Sequence, residues 1–116
     1  MKELQNRAIR AAKRFAEHRG MEIVDEAPKE IESGFVAKDG SDLVFMEVSV
    51  SNSIDRGLPS QKSDDDTRRR RERQAAGWLA RFDEKDVRVR FDSIALLVVG
   101  EDKALIRHHI NCLGCE

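Results

Sequence analysis

A run of six consecutive apolar residues at positions 94–99 restricts the fold of this chain more than any other feature. In a β-strand, successive side chains point to opposite faces of the sheet, so this strand presents apolar side chains on both faces. Such a strand lies inside a sheet that other elements cover on both sides. We therefore predict a strand over residues 87–99, in a sheet with helices on its faces.

The rest of the sequence supplies two helices and four more strands around this strand. Residues 3–19 and 63–82 have apolar side chains at helical spacing, and Ser63 can cap the second helix. The four predicted strands are residues 21–26, 31–37, 42–50 and 104–110, the second and third joined by a turn at 38–41. This α-β-β-β-α-β-β order predicts an α/β sandwich with a mixed sheet of four to five strands and a right-handed crossover through the second helix.

Length and composition exclude several classes of protein. The 116 residues suffice for one domain, which we expect to span 1–116. No apolar run approaches the roughly 18 residues of a membrane helix, and residues 1–15 lack the apolar segment of a secretory signal. Both cysteines lie in the last five residues, so we expect no disulfide framework and a cytoplasmic location.

The net charge of −1 conceals two basic segments. Residues 1–20 contain six Lys and Arg against two Asp and Glu, and residues 67–90 contain nine against four. If the fold brings them together, they form one patch for nucleic acid. The candidate phosphate-binding residues are Arg7, Arg10 and Arg14 on one stripe of the first helix and Arg68, Arg69, Arg70 and Arg71 on the second.

Each basic segment also has a plainer interpretation. The first is compatible with the solvated face of an amphipathic helix. In the second, Asp64, Asp65 and Asp66 each precede an arginine by four positions, so the acidic and basic side chains can neutralise one another. Arg68 to Arg71 also ring the helix, which predicts no buried face there. No aromatic residues alternate with the arginines, which disfavours a platform for stacking single-stranded bases.

The C-terminal residues contain a third candidate site. Cys112 and Cys115 have the spacing of half a zinc site, and His108 is a candidate third ligand. A closed site needs a fourth ligand, so a zinc site between two chains, a redox or disulfide role, and no function at all stay open.

Four stretches, taken in order, resemble one protein family. They are residues 12–21, the hairpin at 38–48, residues 75–80 and Arg90-Phe91-Asp92. These stretches are similar to the YraN family of small bacterial proteins, and the resemblance covers about residues 8–98. It implies the restriction-endonuclease-like fold, with the strand at 42–50 at or near the centre of the sheet.

The resemblance also implies where a nuclease of this fold would carry its chemistry. Two carboxylates hold Mg²⁺, which activates water, and a lysine stabilises charge on the phosphate. In this chain Glu47 matches one carboxylate, but Gly34 stands at the other metal-binding position and Ser49 at the lysine. Ile9 stands at a further acidic position of the first helix. The metal site is therefore expected to be degenerate, and Mg²⁺ is expected only if the protein is an active nuclease.

Three functions remain open from the sequence. The first is a non-catalytic nuclease-fold protein that binds DNA or RNA, which requires the basic stripes on the same side as Glu47. The second is a protein-interaction or scaffold domain, which predicts an exposed apolar patch or a paired sheet edge instead. The third is an active nuclease with a shifted site, in which Glu32 replaces the missing carboxylate. Restoring the pattern by Gly34→Asp and Ser49→Lys is expected to raise metal affinity. A homo-oligomer is compatible with each of these functions.

Overall fold

The computed structural model describes residues 2–52, 54, 57, 58, 65–82 and 87–110. It contains two helices and five strands in the predicted order. They are α1 (Lys2–His18), β1 (Glu22–Asp25), β2 (Gly34–Asp39), β3 (Asp42–Ser51), α2 (Asp65–Arg81), β4 (Arg88–Val98) and β5 (Ala104–His109). The predicted cap of α2, Ser63, lies outside the described residues. Neither described helix is long and apolar enough to cross a membrane.

The strands form one mixed sheet in the order β1-β2-β3-β4-β5. β3 and β4 run parallel, as expected for strands joined through a helix, and the other neighbouring pairs are antiparallel. β3 lies at the centre, which is the position that the family resemblance requires. The sheet with its two helices is an α/β arrangement of the restriction-endonuclease-like type.

The apolar run in β4 is buried as far as Leu97, as its sequence predicts, whereas Val98 is half-buried and Val99 lies beyond the strand. Residues 91–97 are all buried, and β4 pairs with β3 on one side and β5 on the other. Alternate side chains of the strand belong to two separate cores, since Ile94 and Leu96 pack in one and Phe91 in the other.

Each helix completes one of these two cores. α1 contributes the small side chains Ala8, Ala12 and Ala16, which let the helix approach the sheet closely. The sheet residues buried in this core are Phe35, Ala37, Val44, Met46, Val48, Ile94 and Leu96. α2 contributes Ala75 and Trp78 to the opposite face, against Val36, Leu43, Phe45 and Phe91.

Trp78 anchors the second half of α2. Its ring is fully buried, lies edge-on to Phe45 and stacks on Phe82 at a centroid distance of 4.1 Å. Its indole N–H donates a 2.9 Å hydrogen bond to the carboxylate of Asp25 in β1. The polar edge of the largest core side chain is therefore satisfied, as burial of an indole requires.

The Arg90-Phe91-Asp92 segment ties β4 to its neighbours on the α1 face. The carboxylate of Asp92 is buried and accepts hydrogen bonds of 2.9 and 3.0 Å from the guanidinium of Arg90. Its second oxygen lies 2.9 Å from Nε2 of His108 in β5. Arg90 also donates to Asp39 at the end of β2 and lies 3.5 Å from Asp42 of β3, so one polar cluster joins β2, β3, β4 and β5.

One predicted boundary is wrong in a way that matters for the site. The second strand was expected over residues 31–37, but β2 begins at Gly34. Glu32 therefore lies in the bend before the strand rather than on it. The physical reason is a turn at 28–31, in which the Ile31 N–H donates to the carbonyl oxygen of Pro28. Ser33 then meets β3, where its hydroxyl donates to the carbonyl oxygen of Val48 and its carbonyl accepts from the Val48 N–H.

Candidate functional site

Glu47 projects from the central strand toward α2. Its direct neighbours across the sheet are Gly34 on β2 and Ser93 on β4. Both carboxylate oxygens accept hydrogen bonds from arginines of α2. Nη1 of Arg70 donates to one oxygen at 2.7 Å, and Nη2 of Arg71 donates to the other at 3.0 Å. Two guanidinium groups thus hold the one carboxylate that matches the nuclease pattern.

The burial of Arg71 corrects the prediction that the arginine run gives α2 no buried face. Only 7% of its side chain is exposed, against 45% for Arg70. A guanidinium can be buried where a carboxylate pairs with it, and Glu47 provides that partner. The sequence did contain a signal for this contact, because Arg71 precedes the buried Ala75 and Trp78 by four and seven positions, on the same helical stripe.

The electrostatic environment keeps Glu47 ionised. Burial alone raises the pKa of its carboxyl group, but the hydrogen bond from Arg70 and the positive charges of Arg71 and Arg70 outweigh that effect. The pKa is therefore held below the ordinary value of 4.5. A carboxyl group with a lowered pKa stabilises the fold above its unfolded pKa and loses this contribution as the pH falls.

Gly34 leaves no room for a second carboxylate. A Cβ atom added to Gly34 would overlap the main-chain carbonyl oxygen of Met46 and press on the side chain of Ile31. A main-chain atom inside a sheet cannot move aside as a flexible side chain can. The expectation that Gly34→Asp restores a metal ligand is therefore corrected: in this backbone the substitution is a steric clash.

A cavity of about 580 Å³ lies beside Glu47. Glu32 lines it, so the structure does bring the two candidate carboxylates to one cavity. The other polar groups on its walls belong to Gln5, Ser33, Ser49, Thr67, Arg70, Arg71, Gln74 and Ser93. Mg²⁺ requires oxygen ligands, whereas both oxygens of Glu47 are bonded to cations and Ser49 supplies no lysine. The residues present do not fit a nuclease metal site.

The arginine stripe of α1 lines a different cleft. Arg7, Arg10 and Arg14 border a cavity of about 390 Å³ between α1 and the turn that joins β4 to β5. Nη2 of Arg7 donates a 2.8 Å hydrogen bond to the carbonyl oxygen of Glu101. Lys103, Glu101 and Asp102 also line this cavity, and Leu96, Val98 and Ala104 form its apolar part.

The two arginine groups lie on opposite faces of the sheet. α1 packs on the face that carries Val44 and Met46, and α2 packs on the face that carries Leu43 and Phe45. Arg70 and Arg71 are directed to Glu47 on the α2 face, while Arg68 and Arg69 are exposed on α2. The fold does not join the two basic segments into one patch. The expectation that the stripes of both helices lie on the same side as Glu47 is therefore wrong, because the α1 stripe lies on the opposite face of the sheet.

The candidate zinc ligands are only partly described. Cys112 and Cys115 lie outside the described residues. His108 is largely buried, bonds Asp92 through Nε2 and lies edge-on to Phe15 with ring centroids 5.7 Å apart. Among the residues that the structure describes, no group of three His, Cys, Asp or Glu side chains is placed to hold a metal ion.

Comparison with known proteins identifies a family. The model of the "Uncharacterised protein family UPF0102" matches residues 10–96. A UPF0102 protein of Geobacter sulfurreducens is 35% identical over 80 residues, which cover 69% of this chain and 62% of the relative. One from Beutenbergia cavernae is 35% identical over 101 residues, 85% of this chain and 86% of the relative. One from Chlorobaculum tepidum is 35% identical over 78 residues, which cover 67% of this chain and 60% of the relative. The match thus spans about three-fifths of the Geobacter and Chlorobaculum relatives.

Replacing Glu47 by glutamine should destabilise the protein in a pH-dependent way. Near pH 7 we expect a loss of about 1–3 kcal/mol in the free energy of unfolding, because the buried Arg71 loses its charged partner. The difference should shrink as the pH falls through and below 4.5, where wild-type Glu47 takes up a proton. Urea unfolding of both proteins at several pH values measures this difference in the free energy of unfolding.

The matched control is Glu72→Gln, which changes an exposed glutamate of α2 and should change stability by less than about 0.5 kcal/mol. A Glu47→Gln difference that is constant with pH would contradict the ion pair.

Two glycine-to-alanine variants test the steric constraint at Gly34. Gly34→Ala should destabilise by about 1–3 kcal/mol or more, because the new methyl group overlaps a main-chain carbonyl. At Gly77, in the interior of α2, an added Cβ meets only the Glu30 side chain, at an ordinary 3.5 Å. Gly77→Ala should therefore be neutral or stabilise by up to about 1 kcal/mol. Thermal unfolding compares the two, and equal effects would show that the strands are not as close at Gly34 as described.

Proposed function

The chain belongs to the UPF0102 family, and on that premise we propose that it is a nuclease-fold protein that binds the phosphate backbone of nucleic acid without cleaving it. The observation that carries this proposal is the pairing of Glu47 with Arg70 and Arg71. The same carboxylate would hold Mg²⁺ in an active nuclease, and here arginines take its place.

The absence of cleavage follows from three features of the Glu47 cavity. The carboxylate is neutralised by two guanidinium groups, which repel a divalent cation. Gly34 provides no ligand and has no space for one. Ser49 provides no positive charge at the position where a lysine would stabilise the phosphate in the transition state.

The binding part of the proposal rests on the cleft beside α1 alone, because the α1 arginines lie on the face opposite Glu47 and form no common surface with the α2 arginines. Arg10 and Arg14 form no hydrogen bond or ion pair with any residue of the described ranges, so their charges are available to a ligand. Arg7 is already tied to Glu101, and Lys103 adds a further positive charge to the cleft. One guanidinium group can donate two parallel hydrogen bonds to two oxygens of a phosphate. A row of arginines therefore suits the successive phosphates of a nucleic-acid strand.

The length of the stripe suits one strand of a duplex. From Arg7 to Arg14 a helix rises about 10 Å. Over that distance one strand of duplex DNA presents about three phosphates, at roughly 3.4 Å of axis each. None of the described residues that line the cleft is aromatic, so the expected contact is with the backbone and not with stacked bases. We therefore expect affinity that depends strongly on salt and weakly on sequence.

Removing the two available cations should weaken binding and lower its salt dependence. In titrations of duplex DNA, branched DNA and duplex RNA at about 50 and 200 mM salt, the wild-type affinity should fall steeply with salt. The double variant Arg10→Gln/Arg14→Gln should reduce the slope of log K against log salt by about 2, one for each lost phosphate contact. The nucleic acid preferred by the wild type identifies the backbone geometry that the cleft accepts.

The control removes the same amount of charge outside the cleft. Lys29 and Arg73 are exposed, so Lys29→Gln/Arg73→Gln should retain the wild-type slope. If both double variants weaken binding equally, the attraction is a general charge effect and the cleft is not the site. If the wild type binds nothing at low salt, the nucleic-acid proposal is wrong and the protein-interaction domain becomes the leading function.

A further inference from the structure

The edge of the sheet formed by β5 carries a concentration of exposed apolar side chains. Leu105 is 56% exposed, Ile106 38% and Ile110, just beyond the strand, 61%. Val99, at the other end of the β4–β5 hairpin, is 40% exposed. Among the described residues, no strand pairs with the outer edge of β5. An extended, apolar and unpaired edge is the form of strand that pairs with another chain.

The opposite edge of the sheet is protected in a way that β5 is not. β1 has only four residues, and its register with β2 is interrupted between Ile23 and Asp25. Short strands and irregular registers discourage pairing with a further strand. β5 has six residues, contains no proline and pairs with β4 in a regular register throughout.

We propose that β5 pairs with β5 of a second copy of this chain, antiparallel and about a twofold axis at Ile106. The two sheets then continue into one another. In this register Ile106 lies opposite Ile106 of the second copy, Leu105 opposite its Arg107, and Ala104 opposite its His108. The pairing satisfies the open main-chain groups of the edge and covers the apolar side chains beside it.

Geometry limits such a pair to axes that pass through a residue. Residues opposite one another in an antiparallel pair point to the same face of the sheet, and faces alternate along the strand. A strand paired with its own copy must therefore match even positions with even and odd with odd, which excludes an axis between two residues. Axes at Ile106 and Arg107 pair the most residues of β5, an axis at Leu105 or His108 pairs fewer, and axes at the strand ends pair fewest.

Charge selects Ile106 among these axes. An axis at Arg107 places two arginines directly opposite each other, and an axis at Leu105 places Lys103 opposite Arg107. Like charges directly opposite destabilise a strand pair. An axis at Ile106 avoids both and places a β-branched apolar pair at the centre. It also brings the acidic turn of each copy, Glu101 and Asp102, beside the histidine-bearing end of the other strand.

The size of the contact sets the expected strength. Six-residue strands with their flanking side chains bury an area at or below the lower limit of stable interfaces, roughly 1,200 Å² in total. We therefore expect a monomer–dimer equilibrium that shifts across micromolar concentrations.

A twofold axis perpendicular to the sheet also places both α1 helices on the same face of the continuous sheet. The inference itself does not depend on nucleic-acid binding.

Two charge substitutions distinguish this register from non-specific apolar association of the β5 edge. Ile106→Glu places two carboxylates opposite each other on the axis and should leave the protein monomeric. Leu105→Glu places a carboxylate opposite Arg107 of the second copy and should preserve the dimer or tighten it severalfold, although Leu105 is the more exposed residue. Val24→Glu, on the β1 edge and 37% exposed, is the matched control and should leave the equilibrium unchanged.

Sedimentation equilibrium of the wild type and the three variants, with circular dichroism to confirm that each is folded, decides the question. A wild type that stays monomeric at all concentrations overturns the proposal. If Leu105→Glu dissociates the dimer as strongly as Ile106→Glu does, the proposed register is wrong. If only Val24→Glu dissociates the dimer, the interface lies at β1 and the proposal is wrong. If Ile106→Glu unfolds the protein, Leu105→Glu still tests the register, because the proposed register requires that this variant preserve or tighten the dimer.

Discussion

The ion pair between Glu47 and the two arginines of α2 determines how this fold is completed. A carboxylate in the centre of a sheet, under a helix, requires a positive partner, because burying an unpaired charge costs several kcal/mol. In a nuclease of this fold the partners are a metal ion and a lysine. Here they are Arg70 and Arg71, which belong to a half of α2 that contributes no apolar side chain to the core. The pair therefore positions the N-terminal half of α2, and it occupies the ligands that a metal would need.

The general fold was predictable because its strongest signals are local. The apolar run in β4 required a covered strand, and the turn at 38–41 required the β2–β3 hairpin. The resemblance to the YraN family supplied the position of β3 at the centre of the sheet. The UPF0102 match confirms this resemblance, because UPF0102 and YraN are names for the same family. Gly34 and Glu47, the two positions that the resemblance assigns to metal-binding carboxylates, are direct partners across the sheet.

The details of the site were not predictable from pattern alone. Periodicity places Arg71 on the helical stripe of Ala75 and Trp78, but it does not supply the partner that burial of a guanidinium requires, which is a carboxylate 24 positions away. The closeness of the strands at Gly34 depends on the path of the Met46 main chain, which no residue type reports. The separation of the two basic segments likewise depends on which face of the sheet each helix covers. All three are contacts between residues distant in sequence.

The arrangement around Glu47 has arginines, and not a metal ion, as the partners of the carboxylate. Calorimetric titration of Mg²⁺ and Mn²⁺ into the wild type and into Glu47→Gln tests it directly. We expect the two proteins to give the same heats, with no metal binding that depends on Glu47. Saturable metal binding by the wild type that disappears in Glu47→Gln would contradict it, since Glu47 would then be a metal ligand and the site a functional nuclease centre.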